Sequence, residues 1–306
     1  VSTTTTVQNA ENVYDGKAGL QLGLLDRFIL GVKEGDLKLA LSANVNHDSK
    51  ILTNRNILKR AKAIMPYLLY DNDPYMVVNE DGRLIWVLDA YTTSDNYPYS
   101  QKTLLQLDAI NKLEFNYIRN SVKVLIDAYD GTINFYITDR NDPIASAYEK
   151  IYPDLFTTEE ISTDISGQFV YPKFLYDIQT LKMERYHNIQ SDVLYRGNDV
   201  WDVATHNTSR VSTKTGTDIE AYYTMVKTTD SDTSKLGLVI PFTPYGKQNI
   251  TSYMVGTYEN GKPKLTVYKF SSDSNILGPM QLDTQIEQDE KISKEIDALN
   301  VNGTKI

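Results

Sequence analysis

The sequence has 306 residues and no cysteine. That excludes disulfides, thiolate zinc sites, iron–sulfur clusters and a cysteine nucleophile. Long apolar runs are missing as well. Stretches such as Leu84 to Leu88 and Leu238 to Phe242 fall far short of the ~18 residues that cross a bilayer, so the segment reads as soluble. There is no initiator Met, basic n-region or apolar h-region, and Val1-Ser2 followed by four threonines reads as a cut end. Clustered base is absent too. Lys and Arg are interspersed with acids, and the net charge is −9. Phosphate binding needs grouped cations, so the charge argues against nucleic acid or an anionic membrane surface as the main partner.

Catalytic signatures are equally scarce. No Gly-x-Ser-x-Gly elbow is present, and the three histidines, His47, His187 and His206, have no triad partner nearby in sequence. Neither phosphate-cradling glycine motif occurs, and Tyr245 to Asn249 reads as a solvated turn. No cofactor is implied.

What is present is apolar and aromatic bulk. Hydrophobic residues make up 41% of the chain, enough for one or two packed cores. The 22 tyrosines suit half-buried sheets and binding faces alike, because tyrosine joins apolar area to a polar tip.

Periodicity divides the chain into mixed helices and hairpins. Leu25, Phe28, Ile29 and Val32 share one helical face, with Gly35 as the stop. Ile57, Leu58, Ala61, Ile64 and Met65 form a second stripe, capped by Thr53 or Asn54 and ended by Pro66. The period then becomes two. Asp81-Gly82 turns Met76–Val78 into Leu84–Leu88, which is apolar on both faces and reads as a central strand. Asp130-Gly131 turns Val122–Ala128 into Ile133–Ile137, and Asn260-Gly261 turns Tyr253–Tyr258 into Leu265–Phe270, with Pro263 weakening the pairing near its start. Asp142-Pro143 opens one helix that Pro153 stops, and Pro172 opens another, with Leu175, Ile178 and Leu181 facing inward. Residues 203 to 219 read as a polar loop, strands follow at Tyr222–Val226 and Leu236–Phe242, and Ile292, Ile296 and Leu299 mark a last helix. This order lacks βαβ alternation. It predicts an α+β fold with a mixed, largely antiparallel sheet, hairpins and several packed helices.

The most distinctive stretch runs from Asp89 to Ser100. It leaves a buried strand and becomes a loop rich in aromatics and hydroxyls. Asp89, Tyr91, Asp95, Tyr97 and Tyr99 there could line a polar aromatic groove for a glycan or peptide; the plainer reading is that these tyrosines pack the loop onto the sheet. Asp71 and Asp73 put hard oxygens in one short loop and are calcium candidates, although no EF-hand pattern follows and an Asx turn accounts for them equally. Glu184 and His187, three apart on a helix, make half of a carboxylate metal motif whose second half is missing.

The block Asp81-Gly82-Arg83-Leu84-Ile85-Trp86-Val87-Leu88-Asp89-Ala90-Tyr91, continuing to Ser100, resembles a signature of uncharacterised protein family 0182. Further blocks agree in order: Asn116 to Lys123, Ala128 to Gly131, Asp142 to Ile144, Tyr152 to Phe156, Pro241 to Pro244, Gly278 to Gln281, then Gln288-Asp289 with Ile292-Ser293. The likeness implies a bacterial integral membrane protein whose N-terminal helices are absent here, with this chain as its large extracytoplasmic domain. Residues 1–20 would be a membrane-proximal arm and 21–306 the domain, with an internal division near 140–170. The family supplies no catalytic residues and extends beyond Gly303 to Ile306.

The reading is a domain at the cell membrane, on its extracytoplasmic side, that binds an envelope ligand or protein partner and serves its own transmembrane segment. The rivals are a structural domain that forms homo-oligomers and an envelope-directed hydrolase using Asp89 and Asp95 as a carboxylate pair.

Overall fold

The computed structural model describes residues 16–21, 23–36, 38–41, 49–106, 112–206, 216–229, 233–259, 261–271 and 273–301. The start of the arm, His47, the centre of the 203–219 loop, Asn260 and Gly303 to Ile306 lie outside them. The chain divides into two compact units, Val1–Ile161 and Ser162–Ile306, and its fold is α+β with antiparallel sheets. Among the described residues no helix is long and apolar enough to cross a membrane.

The first helix of the first unit, α1 (Leu24–Glu34), ends where Gly35 takes a left-handed φ of 71°. Helix α2 (Ile57–Ile64) follows. Its cap is Asn56, whose side chain accepts from the Lys59 amide, rather than Thr53 or Asn54. Strands β1 (Leu69–Tyr70) and β2 (Tyr75–Val78) both pair with the long strand β3 (Leu84–Ser94). A separate ribbon, β4 (Thr103–Gln106) with β5 (Lys112–Phe115), precedes β6 (Tyr117–Asp127) and β7 (Ile133–Ile137). The order β1-β3-β6-β7 makes β3 and β6 central, as the apolar character of Leu84–Leu88 predicts. Helix α3 (Pro143–Ile151) starts at Asp142, which accepts from the Ile144 amide. Leu88, Ala90, Val122, Val124 and Ile126 pack against Ala61, Met65, Phe135 and Phe156 in one core. Each fully buried aliphatic or aromatic side chain there contributes roughly 1.5–3 kcal/mol.

The second unit begins its main elements with α4 (Lys173–Tyr186) and α5 (Ser191–Arg196). Strands β8 (Trp201–Val203) and β9 (Tyr222–Val226) both pair with β10 (Lys235–Pro244), which pairs with β11 (Ser252–Glu259), which pairs with β12 (Lys262–Lys269). Pro263 stands in register with Tyr258 because β12 is an edge, where a missing amide costs little. Helices α6 (Pro279–Gln288) and α7 (Glu290–Val301) close the described chain. The inward face of α4 is Leu175, Tyr176 and Thr180, and Leu181 points outward, against expectation. The reason is the sheet beneath. Gly256 has no side chain, so the rings of Tyr171 and Tyr176 lie where its Cβ would stand, 2.9 Å away, and this turns the helix toward Tyr176. The Tyr176 hydroxyl then donates to the Met254 carbonyl at 2.7 Å.

Candidate functional site

Strand β3 carries the predicted groove residues out of the core and into a loop, and the structure distributes them over two environments. Asp89 and Tyr91 sit in the buried middle of the strand. Asp95, Tyr97 and Tyr99 lie beyond its end and are exposed. Tyr91 therefore cannot line an open groove with Tyr97 and Tyr99. Strand geometry also separates the proposed carboxylate pair. Six residues at about 3.3 Å each put Asp89 and Asp95 roughly 20 Å apart, well beyond the ~5–10 Å at which two carboxylates flank one glycosidic bond.

The buried half is a row of charges across the sheet. The Asp71 amide donates to the Asp89 carbonyl at 2.9 Å, and Asp89 is in register with Lys123 on β6. Residues paired this way point to one face. Lys123 Nζ is in direct contact with Asp89 Oδ1, and the two side chains are 0% and 5% exposed. The Tyr91 hydroxyl donates to Asp71 Oδ2 at 2.7 Å, and the Asp73 amide donates to Oδ1. Burial pushes the Asp71 carboxyl above its usual range against these bonds, and the Asp89 charge adds to the rise. Asp71 is thus enclosed, while Asp73 is exposed. Among the described residues no three His, Asp or Glu side chains converge as a metal set.

The exposed half is a loop held from behind. Asn116, between β5 and β6, accepts from the Tyr97 amide at 2.9 Å and donates to the Tyr97 and Ser100 carbonyls at 2.7 and 3.2 Å. The Ser100 hydroxyl donates back to the Asn116 carbonyl at 2.9 Å. The Tyr97 ring stacks on Tyr117 at 5.6 Å between centroids. The Tyr117 hydroxyl donates to Asp142 at 2.8 Å, which also caps α3 and receives Thr92. Burial and the Asp142 charge push the Tyr117 hydroxyl up to about 12. At the apex, Tyr99 adopts φ 59° and is fully exposed. A left-handed backbone costs a tyrosine on the order of 1–2 kcal/mol. Sequence reasoning found Tyr97 and Tyr99 but not Asn116, whose role depends on contacts 16 and 19 residues distant.

The second unit holds a smaller polar cluster. The His187 ring stacks on Trp201 at 3.6 Å, and its Nε2 lies 3.2 Å from Asp199. Burial opposes ionisation of Asp199, yet bonds from Asn188 and His187 hold its carboxyl below the usual range. Asp199 also lines an open cleft of about 610 Å³ with Asn198, Tyr245 and Lys247. Glu184 takes no part in this cluster. Its carboxyl is raised by burial and then by Asp202 and Asp218. Glu184 and His187 therefore face different partners.

With this geometry established, the comparisons are specific. The model of an uncharacterised protein family (UPF0182) matches residues 1–299. A UPF0182 protein of Caldicellulosiruptor saccharolyticus is 40% identical over 294 residues, covering 96% of this chain and 31% of the relative. UPF0182 proteins of Methanospirillum hungatei and Clostridium acetobutylicum are 37% and 38% identical, covering 98% of this chain and 33% and 32% of their own lengths. The chain thus spans about a third of the length of the curated relatives it matches. No solved structure matches it.

Proposed function

The chain belongs to the uncharacterised protein family UPF0182, and we propose that it is the binding domain of a larger membrane protein, placed outside the cytoplasm. Its contact surface is the Asp95–Gln101 loop, and its partner is a protein or peptide segment. The observation that carries this reading is Tyr99, a fully exposed aromatic held at a strained positive φ on a loop that Asn116 fixes. Strain of this kind persists where the surrounding structure over-determines the backbone, and it clusters at binding and active sites. Tyrosine offers a large, rigid contact area that loses little side-chain entropy on binding.

The location is tested by labelling. The chain has no cysteine, so Tyr99→Cys in an otherwise cysteine-free full-length protein places one thiol at the loop apex. A membrane-impermeant maleimide should label it in intact cells. Labelling only after lysis would place the loop in the cytoplasm and end this reading.

A second reading, association with another copy, is favoured by one observation. Helix α1 leaves Leu24, Leu25, Phe28, Ile29 and Val32 exposed along one face. Contiguous apolar surface of this kind marks association sites. Sedimentation decides it: a dimer that Phe28→Asp dissolves supports self-association, and a monomer at all concentrations dismisses it.

A further inference from the structure

The buried row Asp71, Asp89 and Lys123 takes no part in the loop surface, and its enclosure denies access to any substrate. It can still react with itself. We propose that Lys123 and Asp89 condense into an intramolecular isopeptide bond that ties strands β3 and β6 together through their side chains.

Three observations support the bond. The reacting atoms are already in contact, Lys123 Nζ on the Asp89 carboxyl, in the dry interior of the unit. Both residues stand in register on two central, hydrogen-bonded strands, so the two side chains are held together without further ordering. Fixed proximity of this kind reaches effective molarities of about 10⁵ M or more. A third group stands beside them. Asp71 is the next residue along the same row, oriented by the Tyr91 hydroxyl and the Asp73 amide.

The environment favours the chemistry. Two buried charges forfeit their hydration, and their mutual attraction only partly offsets that. An amide carries neither charge. Burial raises the Asp71 carboxyl above its ordinary value, which favours its holding a proton beside the pair. In the step itself, a proton passes from the Lys123 ammonium to the Asp89 carboxylate, the amine attacks the carboxyl carbon and a C–N bond forms. Asp71 relays a proton from the amine to a departing hydroxyl, the C–O bond breaks, and one water leaves. The ammonium–carboxylate pair and the amide plus water contain the same atoms, and no electrons are transferred.

Trypsin reads the outcome in the full-length protein. It cuts after Arg83, Lys102, Arg119 and Arg140 but not after an acylated lysine. The expected product is residues 84–102 joined to 120–140, lighter than the two separate peptides by one water. Free 84–102 together with 124–140 would overturn the bond outright, whatever any variant does. Asp89→Asn should give the same joined peptide with loss of ammonia instead of water. Asp71→Asn should leave the peptides separate in a folded protein. Full joining in that variant would refute the relay.

Discussion

Asp142 ties three segments of the first unit together. It caps α3 through the Ile144 amide and receives the hydroxyls of Thr92 and Tyr117. Burial alone would raise its carboxyl, yet bonds from Ser121, Thr92, Tyr117 and Ile144 hold it below the usual range. A depressed folded value means stability that is present above the ordinary aspartate range, near pH ~4, and lost as pH falls through the folded value. Asp142→Ala should therefore cost about 2 kcal/mol or more at neutral pH, because it strands buried donors. Urea midpoints of the variant and the parent should converge in acid. Glu184 is the opposite case. Burial, then Asp202 and Asp218, raise it. A raised carboxyl is favoured protonated, so its ionisation costs stability as pH rises above the ordinary glutamate range. Glu184→Gln should stabilise at neutral pH by roughly 0.5 kcal/mol, the scale of a partly exposed electrostatic interaction, and should be neutral at low pH. A variant less stable than the parent at pH 7 would contradict this.

At the scale of elements, the clearest sequence signals were local ones. The Asp81-Gly82 and Asp130-Gly131 hairpins and the Asp142-Pro143 helix start stand where their turn and cap chemistry places them, because each is decided within about ten residues. The departures come from distant contacts. Leu181 fits the helical stripe of α4 by spacing, but Tyr176 takes the inward place because Gly256 on β11 leaves room for its ring. Lys123 alternates with Val122 and Val124, and because both faces of β6 are buried it meets Asp89 rather than water. Of the candidate site, the sequence left groove and packing open for the three tyrosines; Tyr91 takes the packing role, its hydroxyl bonded to Asp71, while Tyr97 and Tyr99 lie exposed. The loop that carries Tyr99 makes its own prediction. Asn116→Ala removes three hydrogen bonds to Tyr97 and Ser100. Hydrogen exchange at the Tyr97 amide should accelerate by tenfold or so, the kinetic equivalent of about 1.4 kcal/mol, while the β3–β6 ladder stays protected. Unchanged exchange at Tyr97 would show that Asn116 is not the clamp.

At the scale of the molecule, the chain is about a third of its relatives' length, and its two units each carry a core of their own. The exposed tyrosine at the loop apex is held from behind by Asn116, and the Asp89–Asp95 pair is too widely separated for the hydrolase reading that named it. The most direct measurement places a photo-crosslinking phenylalanine at position 99 of the full-length protein in intact cells, with position 195, also exposed, as the control. The account predicts one discrete adduct from position 99, none from 195, and loss of the adduct when Asn116→Ala frees the loop. Equal crosslinking from both positions, or none from 99, would contradict it.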